Sequence, residues 1–172
     1  MEIKKMFIFI GVFWILIFGG FIGFKEYTLR TGQEVLLKTL PVDPRDLFRG
    51  DYVILTYDIN TIDTNTLSYD VSDFKIHDTV YAILDIDDDT IGTLSALEKK
   101  KPSENIFIKG RVTNIFQNTL HIEYGIESYF VEEGKGRNIE RNLGEIYTKI
   151  AVDNFGNAVI RSLVLDSKDI LH

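Results

Sequence analysis

Four aspartates, Asp85, Asp87, Asp88 and Asp89, stand close together and carry the oxygen ligands that a hard cation such as calcium takes. Their spacing is not that of a calcium loop. A loop begun at Asp85 puts Thr90 where the sharp turn needs glycine and Ala96 where the bidentate glutamate belongs. The cluster therefore reads as a solvated turn between two strands. The histidines are His77, His121 and His172, with no H-x-x-x-H pair to gather imidazoles around a transition metal. There is no cysteine, which removes thiolate nucleophiles, cysteine-ligated zinc and disulfides together. No serine lies in a G-x-S-x-G elbow. Gly134, Lys135 and Gly136 resemble the end of a phosphate loop, but Tyr129 stands where its first glycine must be. Glu127 with Glu132 or Glu133 would supply the two acids of glycoside chemistry, but nothing in the spacing raises that pairing above chance. A serine/lysine peptidase tethered by an anchor pairs its serine with a following methionine, whereas the methionines here are Met1 and Met6. We assign no catalytic, cofactor-binding or metal residue. The enzymatic alternative is a membrane-tethered envelope hydrolase whose site is assembled only in the fold, with Glu127, Glu132 and Lys135 pointing into a polar cleft and Ser128 or His121 nearby.

The elements that must position these groups begin with an apolar leader. From Met6 to Phe24 the chain reads MFIFIGVFWILIFGGFIGF without a charge, and as a helix rising ~1.5 Å per residue it spans a hydrocarbon core. The run exceeds a signal-peptide core of about 7 to 15 residues and lacks an A-x-A-like cleavage site, so an uncleaved anchor is expected. Lys4 and Lys5 precede it and Lys25 and Arg30 follow it, leaving the flanking charges nearly balanced. The short leading tail favours an N-terminus inside, because large following domains translocate largely regardless of charge. Residues 1–5 are then a cytoplasmic tail, 6–24 the transmembrane anchor, 25–32 a polar linker and 33–172 an extracytoplasmic domain. Gly19 and Gly23 form a G-x-x-x-G pair that suits a homodimeric helix contact.

At 172 residues the chain is long enough for one domain with a substantial core. Its net charge of -7 is the wrong sign for a nucleic-acid partner. Beyond Arg30, 15 basic residues face 24 acidic ones, so the domain itself carries -9. Hydrophobic periodicity there is two. Leu120, Ile122 and Tyr124 form one inward row, Val80, Ala82, Leu84 and Ile86 a second, and Ile106, Ile108 and Val112 a third. Ile146 to Leu165 predicts a hairpin turning at Asp153 to Asn157, where Asn154 and Gly156 tolerate positive φ. With strands at Glu34–Leu40, Asp51–Asp58 and Gly92–Leu97, the expectation is a mainly β, antiparallel barrel or sandwich behind the transmembrane helix. At most one short helix joins it, at Arg137 to Leu143.

The segment PVDPRDLFRGDYVILTY, Pro41 to Tyr57, carries the most specific pattern. Pro41 and Pro44 suit a strand end and a turn, Gly50 takes φ values closed to larger residues, and Asp51 can cap the turn. The strand that follows is apolar on both faces and is expected to be central. Gly50, Asp51, Tyr52, Leu55 and Tyr57 match without a gap the signature of the GDYXXLXY family of uncharacterised bacterial membrane-anchored proteins, which this chain resembles. A second segment, YGIESYFVEEGKGRNIE from Tyr124 to Glu140, is similar to that family's other recurring block, with Glu132 in place of a proline. The resemblance implies a bacterial, single-anchor protein with a largely β domain, in a family some of whose members are joined to multi-span membrane proteins. It implies no catalytic residues. Tyr52, Leu55 and Tyr57 read as core side chains whose hydroxyls find partners at the rim. Arg49, Gly50 and Asp51 spell an adhesion tripeptide, discounted because it abuts a buried strand. The function expected is non-enzymatic: a membrane-anchored binding or scaffold module for envelope proteins or a small ligand, with a multi-span protein as partner. Its candidate surface comprises Arg45, Asp46, Arg49, Glu127, Tyr129, Glu132, Lys135 and Arg137.

Overall fold

The computed structural model describes residues 2–40, 52–63, 74–130, 146–165 and 168–171. Helix α1 runs from Glu2 to Thr31 and continues without a break past the end of the apolar run. The stretch expected as a polar linker, 25–32, is thus helical through Thr31. Glu26 and Arg30 pair across one turn at 2.6 Å and support that extension. The helix stops at Gly32, whose N–H still donates to the Thr28 carbonyl at 2.9 Å. A Cβ at Gly32 would stand 2.5 Å from that carbonyl and 3.0 Å from the Val152 backbone, so only glycine lets the chain turn so tightly against the sheet.

The rest is mainly β. One five-stranded antiparallel sheet has the order β12-β11-β10-β1-β3, built from β1 (Gln33–Leu40), β3 (Thr56–Tyr57), β10 (Ile146–Val152), β11 (Ala158–Leu165) and β12 (Lys168–Leu171). A second, of order β4-β8-β7-β5-β6, contains β4 (Thr61–Asp63), β5 (Thr79–Ile86), β6 (Gly92–Glu98), β7 (Phe107–Phe116) and β8 (Thr119–Glu123). One of the two curls into a half-barrel. A ribbon of β2 (Tyr52–Ile54) and β9 (Ser128–Phe130) accompanies them.

The expected inward rows form the core between the sheets. Val80, Ala82, Leu84, Ile108, Val112, Leu120, Ile122 and Tyr124 are buried, with Ile86 and Ile106 half-buried against them. Val35, Leu37, Ile150 and Leu163 close the core from the first sheet. The expected hairpin is present, and positive φ in its turn falls on Gly156, at +82°. Of the aspartate cluster, Asp87, Asp88 and Asp89 form the turn between β5 and β6, where Asp87 Oδ1 accepts from the N–H groups of Asp89 (3.0 Å) and Ile91 (2.8 Å), whereas Asp85 lies on β5 itself.

The strand expected as one central element over Asp51–Asp58 is instead two short ones. At Leu55 the N–H donates to the Glu127 carbonyl at 2.8 Å, and the chain passes from pairing with β9 to pairing with β1. Among the described strands β3 is consequently at the edge, followed at once by a 3-10 turn over Asp58–Asn60 that carries the chain into the other sheet. Pro41, Pro44, Gly50, Asp51 and the expected helix at Arg137 to Leu143 lie outside the described residues.

Candidate functional site

Among the described residues, two places gather several polar groups from distant parts of the chain. The first lies where the two family-like segments meet. The ribbon register pairs Tyr52 with Phe130, Val53 with Tyr129 and Ile54 with Ser128. One turn further in, Tyr57 is fully buried and its hydroxyl donates to the Ile126 carbonyl at 2.7 Å. Tyr124 returns the contact, donating to the Ile59 carbonyl at 2.8 Å. Between them Asn60 accepts from the Tyr57 N–H at 2.6 Å and donates to the Ile122 carbonyl (2.8 Å) and to Glu127 Oε1 (3.1 Å). The Glu127 carboxylate also accepts from the N–H groups of Tyr124 (2.6 Å) and Gly125 (2.8 Å), where Gly125 has a φ of +79°.

Each buried polar group in this knot is therefore paired, as low-dielectric surroundings require. Burial pushes the Tyr57 phenol well above the ordinary range; a hydrogen bond with Thr148 opposes this and the Glu127 charge adds to it. Burial does the same to Tyr124, reinforced by Glu127 and Asp58. Both stay neutral donors at any physiological pH, which is a structural role; Tyr57 is the core side chain expected of it, while the side chain of Tyr52 lies outside what the structure describes.

Of the candidate surface, the structure brings Tyr129 beside the signature strand, half-buried, with burial raising its phenol. Glu127 is also there, its carboxylate turned inward to the knot. Ser128 is exposed on β9, and His121 lies on the outward side of β8 with Nδ1 3.4 Å from Thr61 Oγ1. Arg45, Asp46, Arg49, Glu132, Lys135 and Arg137 lie outside the described residues. Among the described residues no group of three or more metal-ligating side chains occurs.

The second place is the junction of α1 with the sheet, which sequence reasoning missed. Thr28 is fully buried, and its hydroxyl donates to Asp153 Oδ2 in the β10–β11 turn at 3.2 Å. Burial by itself would raise the Asp153 carboxyl, but hydrogen bonds from Asn157, Phe155 and Thr28 outweigh it and hold the group below the ordinary carboxylate range. Arg161 of β11 donates to the Leu29 carbonyl in the last turn of α1, where the helix leaves carbonyls unpaired. The same guanidinium reaches Glu34 at 3.4 Å, and Lys149 approaches Glu34 from the other side at 3.7 Å. Beside this clamp opens a polar cleft of about 710 Å³, lined by Gln33, Lys101, Ser103, Glu104, Asn105 and Asn154 among others. Lys101 Nζ stands 4.7 Å above the ring of Phe155, at the cleft's margin. The cleft is remote in sequence from Glu127 and Ser128; of its lining residues, Ile106, Asp153 and Asn154 were legible only as strand and turn positions.

A family model described as GDYXXLXY protein matches residues 14–163, which include most of α1, the signature strand and the block around Tyr124. No curated protein and no solved structure matches the chain.

Proposed function

The chain belongs to the GDYXXLXY family, and on that footing we propose that it is a non-enzymatic binding or scaffold module held at the bacterial cell membrane. In this reading α1 stays in the bilayer with its N-terminus inside, and residues 33–172 form an extracytoplasmic β domain that engages an envelope protein or a small ligand. The helix over Ile3–Thr31 is long and apolar enough to cross a membrane, and none of its apolar window is buried against the rest of the chain.

The observation that carries the proposal is the junction. One residue, Gly32, separates helix from sheet, and Thr28, Asp153, Arg161 and Glu34 tie the two together. A helix in lipid would thereby hold the domain at a set height and attitude, as presentation to a membrane neighbour requires. Glu127 adds support, because its carboxylate already accepts from Tyr124, Gly125 and Asn60, which favours a structural role over proton transfer. The proposed surface is the one that includes Tyr129 and the segments on either side of the Tyr52–Phe130 rung. Gly19 and Gly23, with nothing of the chain within 4 Å of a Cβ built on either, are assigned to helix packing with a second copy or with the partner's span.

A photocrosslinking residue placed at Tyr129 in native membranes, followed by mass spectrometry, tests this reading. It predicts recurrent capture of one multi-span neighbour, lost when the probe is moved to Thr93 on β6. Capture of no neighbour at all from either position overturns the scaffold role.

A further inference from the structure

We propose that the turn bearing Phe155 and the adjoining loop bearing Lys100 and Lys101 rest on the anionic lipid headgroups of the bilayer that holds α1. This inference rests on the anchored reading above and adds to it a second, reversible contact with the membrane.

Three observations carry it. The first is height. Asp153, which opens the turn, is tied to Thr28, and Thr28 is four residues past Phe24, the last of the charge-free run. At ~1.5 Å per residue that places the base of the turn about 6 Å from the hydrocarbon edge, inside the headgroup layer. The second is chemistry. Phe155 is an aromatic side chain left 61% exposed at the turn, and Lys101 lies over its ring. An aromatic ring with a cation over its face suits a water–lipid interface, where one takes the acyl boundary and the other the phosphates.

The third is charge. Lys99, Lys100 and Lys101 form the densest basic run in a domain of net -9. Lys99 is paired with Asp78 at 3.3 Å, whereas Lys100 and Lys101 are exposed. The acidic turn Asp87–Asp89 meets the first sheet at Leu36, four residues along β1 from Gly32. At ~3.3 Å per residue this is about 13 Å away, beyond a Debye length of about 8 Å at physiological salt. Lys100 and Lys101 thus meet the headgroups beyond the screened reach of that acidic turn, with Glu98 and Glu104 as the acids nearest to them in sequence. Each lysine near an anionic surface changes the docked population by about fivefold.

The test uses the full chain in vesicles of neutral lipid or of neutral lipid with an anionic fraction. Trp14 is the chain's single tryptophan and sits near the middle of the span, so its quenching by lipids labelled deep in their tails reports the anchor on its own. In a Trp14→Phe background, Phe155→Trp places a probe in the turn and Phe116→Trp places one at the far end of β7. The Phe155 probe should be blue-shifted and quenched by headgroup-labelled lipid in anionic vesicles, and should lose this in Lys100→Glu/Lys101→Glu. The Phe116 probe should stay open to aqueous acrylamide. Quenching of the Phe155 probe no greater than that of the Phe116 probe, or equal in neutral and anionic vesicles, overturns the proposal while leaving the anchor intact. Absence of Trp14 quenching by tail-labelled lipid overturns the anchor and this contact with it.

Discussion

Replacing Asn60 by aspartate is the sharpest probe of the knot that joins the signature strand to the block around Tyr124. The exchange keeps the oxygen that accepts from the Tyr57 N–H at 2.6 Å. It turns the amide that donates to Ile122 and Glu127 into a second carboxylate oxygen, 3.1 Å from Glu127 Oε1. Two unit charges at that distance repel by about 5 kcal/mol at an effective dielectric of ~20. The new group escapes by taking a proton. Holding it protonated at pH 7, about three units above its ordinary value, costs about 4 kcal/mol at ~1.36 kcal/mol per unit. Protonation is therefore the cheaper course, and it restores a donor toward Glu127. The introduced carboxyl has a folded-state pKa raised above its unfolded value, so the penalty is present at neutral pH and shrinks as pH falls toward the ordinary carboxylate range. Asn60→Asp should cost about 4 kcal/mol at pH 7 and about 1.5 kcal/mol at pH 5. With ~2 to 4 °C per kcal/mol for a chain of this size, the melting temperature should drop by roughly 8 to 16 °C at pH 7. Thermal melts of the β signal by circular dichroism in micelles, each referred to wild type at the same pH, measure this. Equal deficits at pH 5 and pH 7, or no deficit at either, would refute the reasoning.

Three further changes probe the same framework. Tyr57→Phe strands the Ile126 carbonyl in the core and should cost about 1 to 3 kcal/mol by denaturant unfolding. Because the phenol stays neutral, that loss should not vary between pH 5 and pH 8. Gly156→Ala forces a side chain into a φ of +82° and to 2.6 Å from the Phe107 ring, and should lower the unfolding midpoint by the equivalent of about 1 to 3 kcal/mol. Asp153→Ala removes the acceptor of Phe155, Asn157 and Thr28 and should broaden spin-label distances between α1 and the domain. In wild type the Asp153 carboxyl is held below its unfolded value, so its contribution is present above the ordinary carboxylate range. Acidification through its lowered folded-state value should loosen the same junction, read as the same broadening.

The parts of this fold that were legible in the sequence are those set by local pattern. The charge-free run from Met6 to Phe24 is a helix, the rows through Val80, Ile108 and Leu120 face inward, and the Asp153–Asn157 turn closes a hairpin. Each follows from spacing alone. What was illegible depends on partners far away in the chain. Nothing near Leu55 announces a strand break, because the break comes from the Glu127 carbonyl. Asn60 looks like an ordinary turn residue until Ile122 and Glu127 arrive beside it. Glu127, between Ile126 and Ser128, reads as a surface acid, yet Gly125 at positive φ folds the chain so that its carboxylate points back at the backbone. Thr28 and Arg30 made residues 25–32 look like a connector, whereas Arg161, more than a hundred residues later, closes the end of the helix.

The central claim is that the apolar helix remains in the bilayer as part of the mature protein. The most direct measurement is the intact mass of the chain recovered from alkali-washed membranes of cells that make it. The account predicts a membrane-retained species that still contains Met6 to Phe24. A mature species found in the wash, beginning beyond residue 30, would contradict it.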